Sequence, residues 1–345
     1  MQAVVLVGGE GTRLRPLTFQ TPKPMVPLFN VPFLERSLIR LREAGISHAI
    51  LPAGYLPAAI TDYFGDGERV GMRLTYVIEK EPLGTAGAIK NVAEHLTGPF
   101  FVLNGDILTS LNLSEMLLCH RRRRGIGLLH LITVEDPSAF GCVVTDVDAR
   151  ITSFIEKPPK GTATTNTINA GTYLLEPEVL DLIPDGRAVS IEREIFPILI
   201  QRHRLYGYST SDYWIDLGRP EHYLDSHRHI LEGQMNMPLE HRSVPCRLLQ
   251  PSYIGHDVIV APDATIGPYA VIGDHCRIGS GVHVRHSVLW DGVEIGSGAS
   301  VDGAILASKV IVGAGATIAA GAVVGHGAEI PPDTRVAADA RVAVL

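Results

Sequence analysis

Basic charge, cysteine and long apolar runs are all scarce in this 345-residue chain, and each scarcity removes a class of function. Lysine and arginine number 30 against 37 aspartates and glutamates, for a formal net charge of −7. That sign argues against a general nucleic-acid binder, whose footprint is a basic face. The one basic run, Arg121–Arg124, reads as the solvated end of a helix that begins near Leu113. Four cysteines (Cys119, Cys142, Cys246, Cys276) are scattered, with no CxxC pair and no metal-ligand spacing. Free thiols in a reducing compartment are expected, with no disulfide framework. The 14 histidines are unclustered and form no HExxH; those at 256, 275, 283, 286 and 326 are expected to face solvent. There is no GxSxG and no nucleophile–base pair. No apolar run approaches the roughly 20 residues that span a bilayer. The N-terminus is apolar only from Ala3 to Val7, which reads as a strand and not as a signal peptide. A soluble, cytoplasmic protein with no nucleic-acid or membrane partner is expected.

What is present divides into two halves with different periodicities. Up to about Gly233, short apolar runs (3–7, 48–53, 74–79, 100–106) alternate with helical patterns at 33–45 and 86–96. This alternation predicts an α/β fold, a Rossmann-like, doubly wound, mostly parallel sheet. Ligands of such sheets sit beyond the carboxyl ends of the strands. The stretch RPEHYLDSHRHILEG predicts a helix ending at Gly233. After Leu248 the period becomes six: Ile254, Val260, Ile266, Ile272, Ile278, Val284, then Leu289, Ile295, Val301, then Leu306, Val312, Ile318, Val324, Ile330, Val336, Val342. A hexapeptide period with glycine often following the aliphatic residue is the signature of a parallel β-helix. Three hexads per coil give about five coils, and the two one-residue slips predict short turns or bulges. The expected organisation is 1–233 catalytic, 234–250 linker, and 251–345 β-helix.

Four features of the first half can carry chemistry. The stretch LVGGEGTRLRPLTFQTPKPM leaves room around Gly8, Gly9 and Gly11 for backbone N–H groups to approach an anion. Thr12, Arg13, Arg15 and Lys23 add donors and charge, and four prolines restrict the loop. It is neither a Walker loop nor GxGxxG; by itself it is either a tight turn or an anion cradle. NGD (104–106) closes an apolar strand, and Asp106 is either a Mg²⁺ ligand or the cap of the next helix or turn, with Asp216 of YWIDLG the natural second carboxylate. In FIEKP, Glu156 and Lys157 suit sugar hydroxyls and a phosphate, or form a surface ion pair. In INAGTYLL, Asn169 and Gly171 mark a close ligand approach or a bulge.

Taken in order, GGEGTRLRPLTFQTPKPM, EPLGTAGAI, VLNGD, FIEKP, INAGTYLL and WIDLGRPEHY resemble the nucleotide-sugar pyrophosphorylases over nearly the whole chain. Within them the resemblance is nearest to the mannose-1-phosphate guanylyltransferase group, which also carries a left-handed β-helix. The resemblance implies transfer of a nucleotidyl group from a nucleoside triphosphate to a sugar 1-phosphate, with GTP and mannose 1-phosphate first and glucose-1-phosphate thymidylyl or uridylyl transfer as the alternative. It implies Gly8, Gly9, Gly11, Thr12, Arg13 and Gly84 on the nucleotide, Arg13, Lys23 and Asp106 in catalysis, and Asp106 with Asp216 on Mg²⁺. It implies Gly141, Glu156, Lys157, Asn169 and Gly171 on the sugar phosphate, and a homo-oligomer that can form through the β-helix. Glu10 is out of place in an anion cradle unless its side chain turns away. A β-helix acyltransferase activity and an inactive regulatory homologue are the competing readings.

Overall fold

The apolar runs of the first half are too short and too rich in valine, isoleucine and leucine for helices, and they pair as strands. In the computed structural model, which describes residues 1–240 and 242–344, they form Gln2–Leu6, His48–Ala53, Arg73–Ile78 and Phe100–Asn104. His241, in the expected linker, and Leu345, at the end of the expected β-helix, lie outside the described residues. The chain forms two compact units: Met1–Gly9 with Leu34–Trp214, and Glu10–Phe33 with Ile215–Leu345.

In the first unit those four strands run parallel, in the order Phe100–Asn104, Gln2–Leu6, His48–Ala53, Arg73–Ile78. Helices Pro57–Phe64 and Gly84–Asn91 form part of the crossovers. Thr167–Leu175 then adds antiparallel to Phe100–Asn104 and to Gly127–Thr133, and Gly141–Thr145 pairs antiparallel with Ile151–Glu156. The nine-stranded sheet is therefore mixed. Short connections such as 146–150 can return a chain only antiparallel, whereas parallel neighbours need a crossover. Strand order reverses at Gln2–Leu6, where the Gly105 N–H donates to the Leu6 carbonyl at 3.0 Å. Gly8 and Asp106 thus leave the carboxyl ends of adjacent strands, at the switch point where such sheets bind ligands. Phe100, Tyr173 and Phe196 are buried in the core behind them; full burial of such a side chain contributes roughly 1.5–3 kcal/mol.

In the second unit the hexads build a β-helix of three parallel sheets. The first stacks Arg247–Leu248, Thr265–Ile266, His283–Arg285, Ser300–Asp302, Thr317–Ile318 and Arg335–Val336. The second stacks Tyr253–Ile254, Val271–Ile272, Val288–Leu289, Ile305–Leu306, Val323–Val324 and Arg341–Val342. The third stacks Ile259–Val260, Arg277–Ile278, Glu294–Ile295, Ile311–Val312 and Glu329–Ile330. The first rung, Arg247–Leu248, lies inside the stretch expected as a linker. The periodic aliphatic residue points inward, and a small residue two places before it (Ala264, Ala270, Cys276, Ala299, Ala316, Ala322) fills the narrow corner. The two slips are one shortened corner used twice. Val284 stacks on Val301 and Leu289 on Leu306, so two successive coils lose one residue at the same place and stay in register. Of the five β-helix histidines, four are exposed as expected; His326 is packed inside the unit instead.

Candidate active site

Beyond Gly9 the proline-punctuated loop folds into three single 3₁₀ turns, Thr12–Leu14, Leu17–Phe19 and Lys23–Met25. Leu14, Leu17, Pro24 and Met25 are buried and anchor it. The cations stand between these anchors. A methyl group on the buried Gly218 would lie 2.7 Å from Arg13 Nη2, 2.7 Å from Asp216 Oδ1 and 3.1 Å from Lys23 Nζ. Three charged heads therefore converge on one point, and only glycine leaves them room. The Gly218 N–H donates to Asp216 Oδ1 at 2.6 Å, and Lys23 Nζ lies 3.8 Å from the same oxygen. Arg13 and Lys23 thus bring two cationic heads to one point, where an anion can be received. Glu10 is taken up by Arg15 at 2.9 Å on the surface, which resolves the oddity of an acid in this loop. Such an exposed pair contributes about 0–1 kcal/mol.

In the first unit, Gly8, Gly9, Leu83, Gly84 and Thr85 line a cavity of about 260 Å³. Gly84 opens the helix Gly84–Asn91 with φ +69°, and a methyl group there would meet the Val189 carbonyl at 2.7 Å. The wall of this cavity also carries a residue that the motifs did not flag, Glu79. Its Oε1 is buried without a hydrogen-bond partner among the described residues, while Oε2 sits 3.1 Å from where a Gly8 methyl group would be. Burial pushes its carboxyl above the usual carboxylate range.

A second polar group in the same unit surrounds Glu156. The register pairs Glu156 with Gly141, and Lys157 Nζ lies 3.4 Å from Glu156 Oε1. Burial, and then the neighbouring Glu192, raise the Glu156 pKa, partly offset by Lys157. Asn169 donates to the Tyr173 hydroxyl at 2.9 Å and accepts from the Gly171 N–H at 3.1 Å. The strand is bulged here, four residues from Asn169 to Tyr173 spanning what two residues, Leu131 to Leu129, span on its neighbour. Glu192 belongs to the same network, accepting from Thr85 at 2.8 Å and Ser190 at 2.7 Å. It lies on a π-helical turn, Ile191–Ile195, a distortion frequent at functional sites.

Residues 2–233 match the nucleotidyl transferase family, and residues 239–336 match the EIF2B subunit epsilon LbH domain, a left-handed β-helix. The chain belongs to the nucleotidyl transferase family. It is 46% identical to the mannose-1-phosphate guanylyltransferase of Mycobacterium tuberculosis over 239 residues, covering 68% of this chain and 65% of that protein. It is 38% identical to the mannose-1-phosphate guanyltransferase of Saccharomyces cerevisiae over 230 residues, covering 65% and 63%. The chain thus spans just under two thirds of the length of these curated relatives. Among solved structures, HddC from Yersinia pseudotuberculosis in complex with GMP-PN is 30% identical, with a TM-score of 0.56, covering 66% of this chain and 99% of that one.

The expected site residues are distributed in a definite way. Gly8, Gly9 and Gly84 share a cavity; Gly141, Glu156 and Lys157 share one strand pair and its exit, and Asn169 and Gly171 one bulge; Arg13, Lys23 and Asp216 share one cluster. Gly11 and Thr12 begin the first 3₁₀ turn. Asp106 lies in the turn between Phe100–Asn104 and Ile107–Thr109. The next helix is capped by Asn112, whose Oδ1 accepts from Ser114 and Glu115, so Asp106 does not cap that helix. Members of the family generally use a divalent metal. Among the described residues no group of three or more His, Cys, Asp and Glu is arranged to hold one. Carboxylate oxygens completed by substrate phosphates suit a divalent metal without such a group. Glu79, Glu192, Tyr173 and Thr85 were not among the expected site residues, although Thr85 lies within EPLGTAGAI and Tyr173 within INAGTYLL.

Proposed function

We propose that the chain transfers a guanylyl group from GTP to mannose 1-phosphate, giving GDP-mannose and pyrophosphate. One observation carries the choice of base: the unpaired carboxylate oxygen of Glu79 in the cavity of Gly8, Gly9 and Gly84. Guanine alone among the common bases offers an N–H and an adjacent amino group on one edge, two donors for one carboxylate. Thymine and uracil offer a single N–H there, and adenine turns an acceptor toward the acid. The guanylyltransferases among the relatives and the GMP-PN complex of HddC support the same choice.

In the reaction, an oxygen of the sugar phosphate attacks the α-phosphorus of GTP, and the α–β bridging bond breaks as pyrophosphate leaves. Such a transfer needs positioning and charge neutralisation more than a base. Gly8, Gly9, Gly11 and Thr12 present the loop to the triphosphate, and Arg13 and Lys23 neutralise the pyrophosphate that departs. Glu156, Asn169 and the Gly141 backbone hold sugar hydroxyls, Gly171 permits the bulge, and Lys157 takes the sugar's phosphate. Mg²⁺, held by Asp106 and Asp216, supplies further neutralisation when bound. In this reading residues 1–233 carry the chemistry, 234–250 connect, and 251–345 form a β-helix through whose exposed faces copies of the chain assemble in the cytoplasm.

The test is pyrophosphate release from GTP, dTTP, UTP, CTP and ATP against mannose and glucose 1-phosphates. GTP with mannose 1-phosphate is the expected best pair. Activity confined to dTTP and glucose 1-phosphate would overturn the proposal.

A further inference from the structure

Each two-residue strand of the β-helix turns one side chain inward and the other outward. On the first sheet the outward row is Thr265, His283, Ser300, Thr317 and Arg335; on the third it is Ile259, Arg277, Glu294, Ile311 and Glu329, all exposed. The second sheet is different. Between Tyr253 at one end and the exposed Arg341 at the other, its outward row runs Val271, Val288, Ile305 and Val323, aliphatic and no more than 3% exposed. An outward row that is apolar and buried has a cover, and the hydrogen bonds of the second unit identify it.

The cover is the helix Pro220–Leu231 together with the cation-bearing loop. Trp290, 3% exposed, donates its indole N–H to the Tyr223 hydroxyl at 3.0 Å. Tyr223, fully buried, passes its own O–H to the carbonyl of Pro27. His326 Nε2 lies 3.1 Å from Thr21 Oγ1 and 3.3 Å from the Leu17 carbonyl, and its ring packs edge-on against Trp290. Asn30 donates to Asp274 at 2.7 Å, and Phe29 packs between His227 and Tyr253. The β-helix and its docked helix therefore grip the loop at Leu17, Thr21, Pro27, Phe29 and Asn30, and Lys23 stands between two of these points.

We propose that the β-helix sets the position of the catalytic cations, and that Trp290 and His326 are positioning residues for the transfer reaction. Neither touches substrate in this scheme. Each fixes the loop that carries Arg13 and Lys23, and a misplacement of about 1 Å costs on the order of a hundredfold in rate. The kinetic arm rests on the function proposed above; the structural arm does not.

The test uses the full chain with Trp290→Phe, which keeps a ring and loses the N–H, His326→Leu, and His326→Gln, whose amide N–H can replace the Nε2 donor. Glu329→Ala, on the exposed third sheet, is the control. Hydrogen exchange over residues 10–33 is measured beside kcat, the KM for sugar 1-phosphate and the circular dichroism spectrum. Trp290→Phe and His326→Leu are expected to speed exchange in 10–33 at least tenfold and to lower kcat by about 10- to 100-fold. KM for the sugar phosphate should stay within twofold, with recovery in His326→Gln. Unchanged loop exchange in both Trp290→Phe and His326→Leu overturns the proposal, as does faster exchange with kcat within twofold of the parent. If the parent chain turns over no nucleotide, the function reading falls and loop exchange alone decides the positioning claim.

Discussion

Glu79 is where a small chemical change should have a large and specific effect. The carboxylate lines a cavity with Gly8, Gly9 and Gly84 among its other walls and presents a buried oxygen that no donor among the described residues satisfies. A hydrogen bond to a charged group contributes about 1.5–3 kcal/mol, and an unsatisfied buried acceptor costs a similar amount. Glu79→Gln keeps one acceptor and turns an amide donor toward the second donor of guanine. The expected loss is about 2–3 kcal/mol, roughly 30- to 150-fold in kcat/KM for GTP. ITP, which lacks the 2-amino group, gives the control within the substrate. The parent chain should prefer GTP over ITP by at least about tenfold, and Glu79→Gln should remove most of that preference. Initial-rate pyrophosphate release with both nucleotides at saturating mannose 1-phosphate measures all four values. If Glu79→Gln retains the GTP-to-ITP ratio, the carboxylate does not read the base, and the structural argument for guanine fails.

Four further outcomes follow from the site and its surroundings. Asp106→Asn should abolish Mg²⁺-dependent turnover while leaving the circular dichroism spectrum unchanged, and near-normal turnover would remove Asp106 from the metal. Asp216→Asn removes a carboxylate from the point where Arg13 and Lys23 converge; metal-free binding of pyrophosphate, followed by calorimetry, should tighten as turnover falls. Glu156 has its pKa raised by burial and by Glu192, so the folded state holds this proton more tightly than the unfolded one. Its contribution to stability is present below the ordinary carboxylate range and is lost as pH rises through the folded value; Glu156→Gln should therefore raise Tm at neutral pH while raising KM for the sugar phosphate. His130 is the opposite case, because burial lowers its pKa to about 4, with Arg40 adding to the shift and Asp212 opposing it. The unfolded state binds more protons between pH 6.5 and 4, so stability falls across that window by up to about 3 kcal/mol; urea titrations of His130→Gln should show a flatter pH profile there.

The β-helix was legible because its constraint is local and repeated. Every inward position in a narrow triangular core must be aliphatic, and the six-residue period states that requirement sixteen times. The slips, too, were visible as five-residue spacings, and stacking shows that both fall at the same corner of successive coils. The outward stretch Val271, Val288, Ile305 and Val323 was just as regular, whereas the outward row of the first sheet is polar and that of the third mixes Ile259 and Ile311 with charged residues. It escaped notice because each of its members sits beside an inward aliphatic residue and reads as part of the same apolar pair. Sorting outward positions by sheet, one in three, separates the covered face from the solvated ones.

The site divides along a different line. Arg13, Lys23, Asp106, Asp216 and Glu156 stand in motifs whose residues are neighbours in sequence, and the motif supplies their context. Glu79 and Glu192 draw their meaning from groups far away along the chain. Glu79 matters because Gly8, 71 residues earlier, leaves space beside it, and Glu192 because it accepts from Thr85 across 107 residues. Nothing local distinguishes either from a surface glutamate; the fold does, by burying a carboxylate at the carboxyl ends of parallel strands. A buried acid without a protein partner is costly to maintain, and for Glu79 a ligand donor is the partner that would offset the cost. Exposed glutamates such as Glu68 and Glu94 carry no such cost, and their replacement should leave nucleotide selectivity untouched.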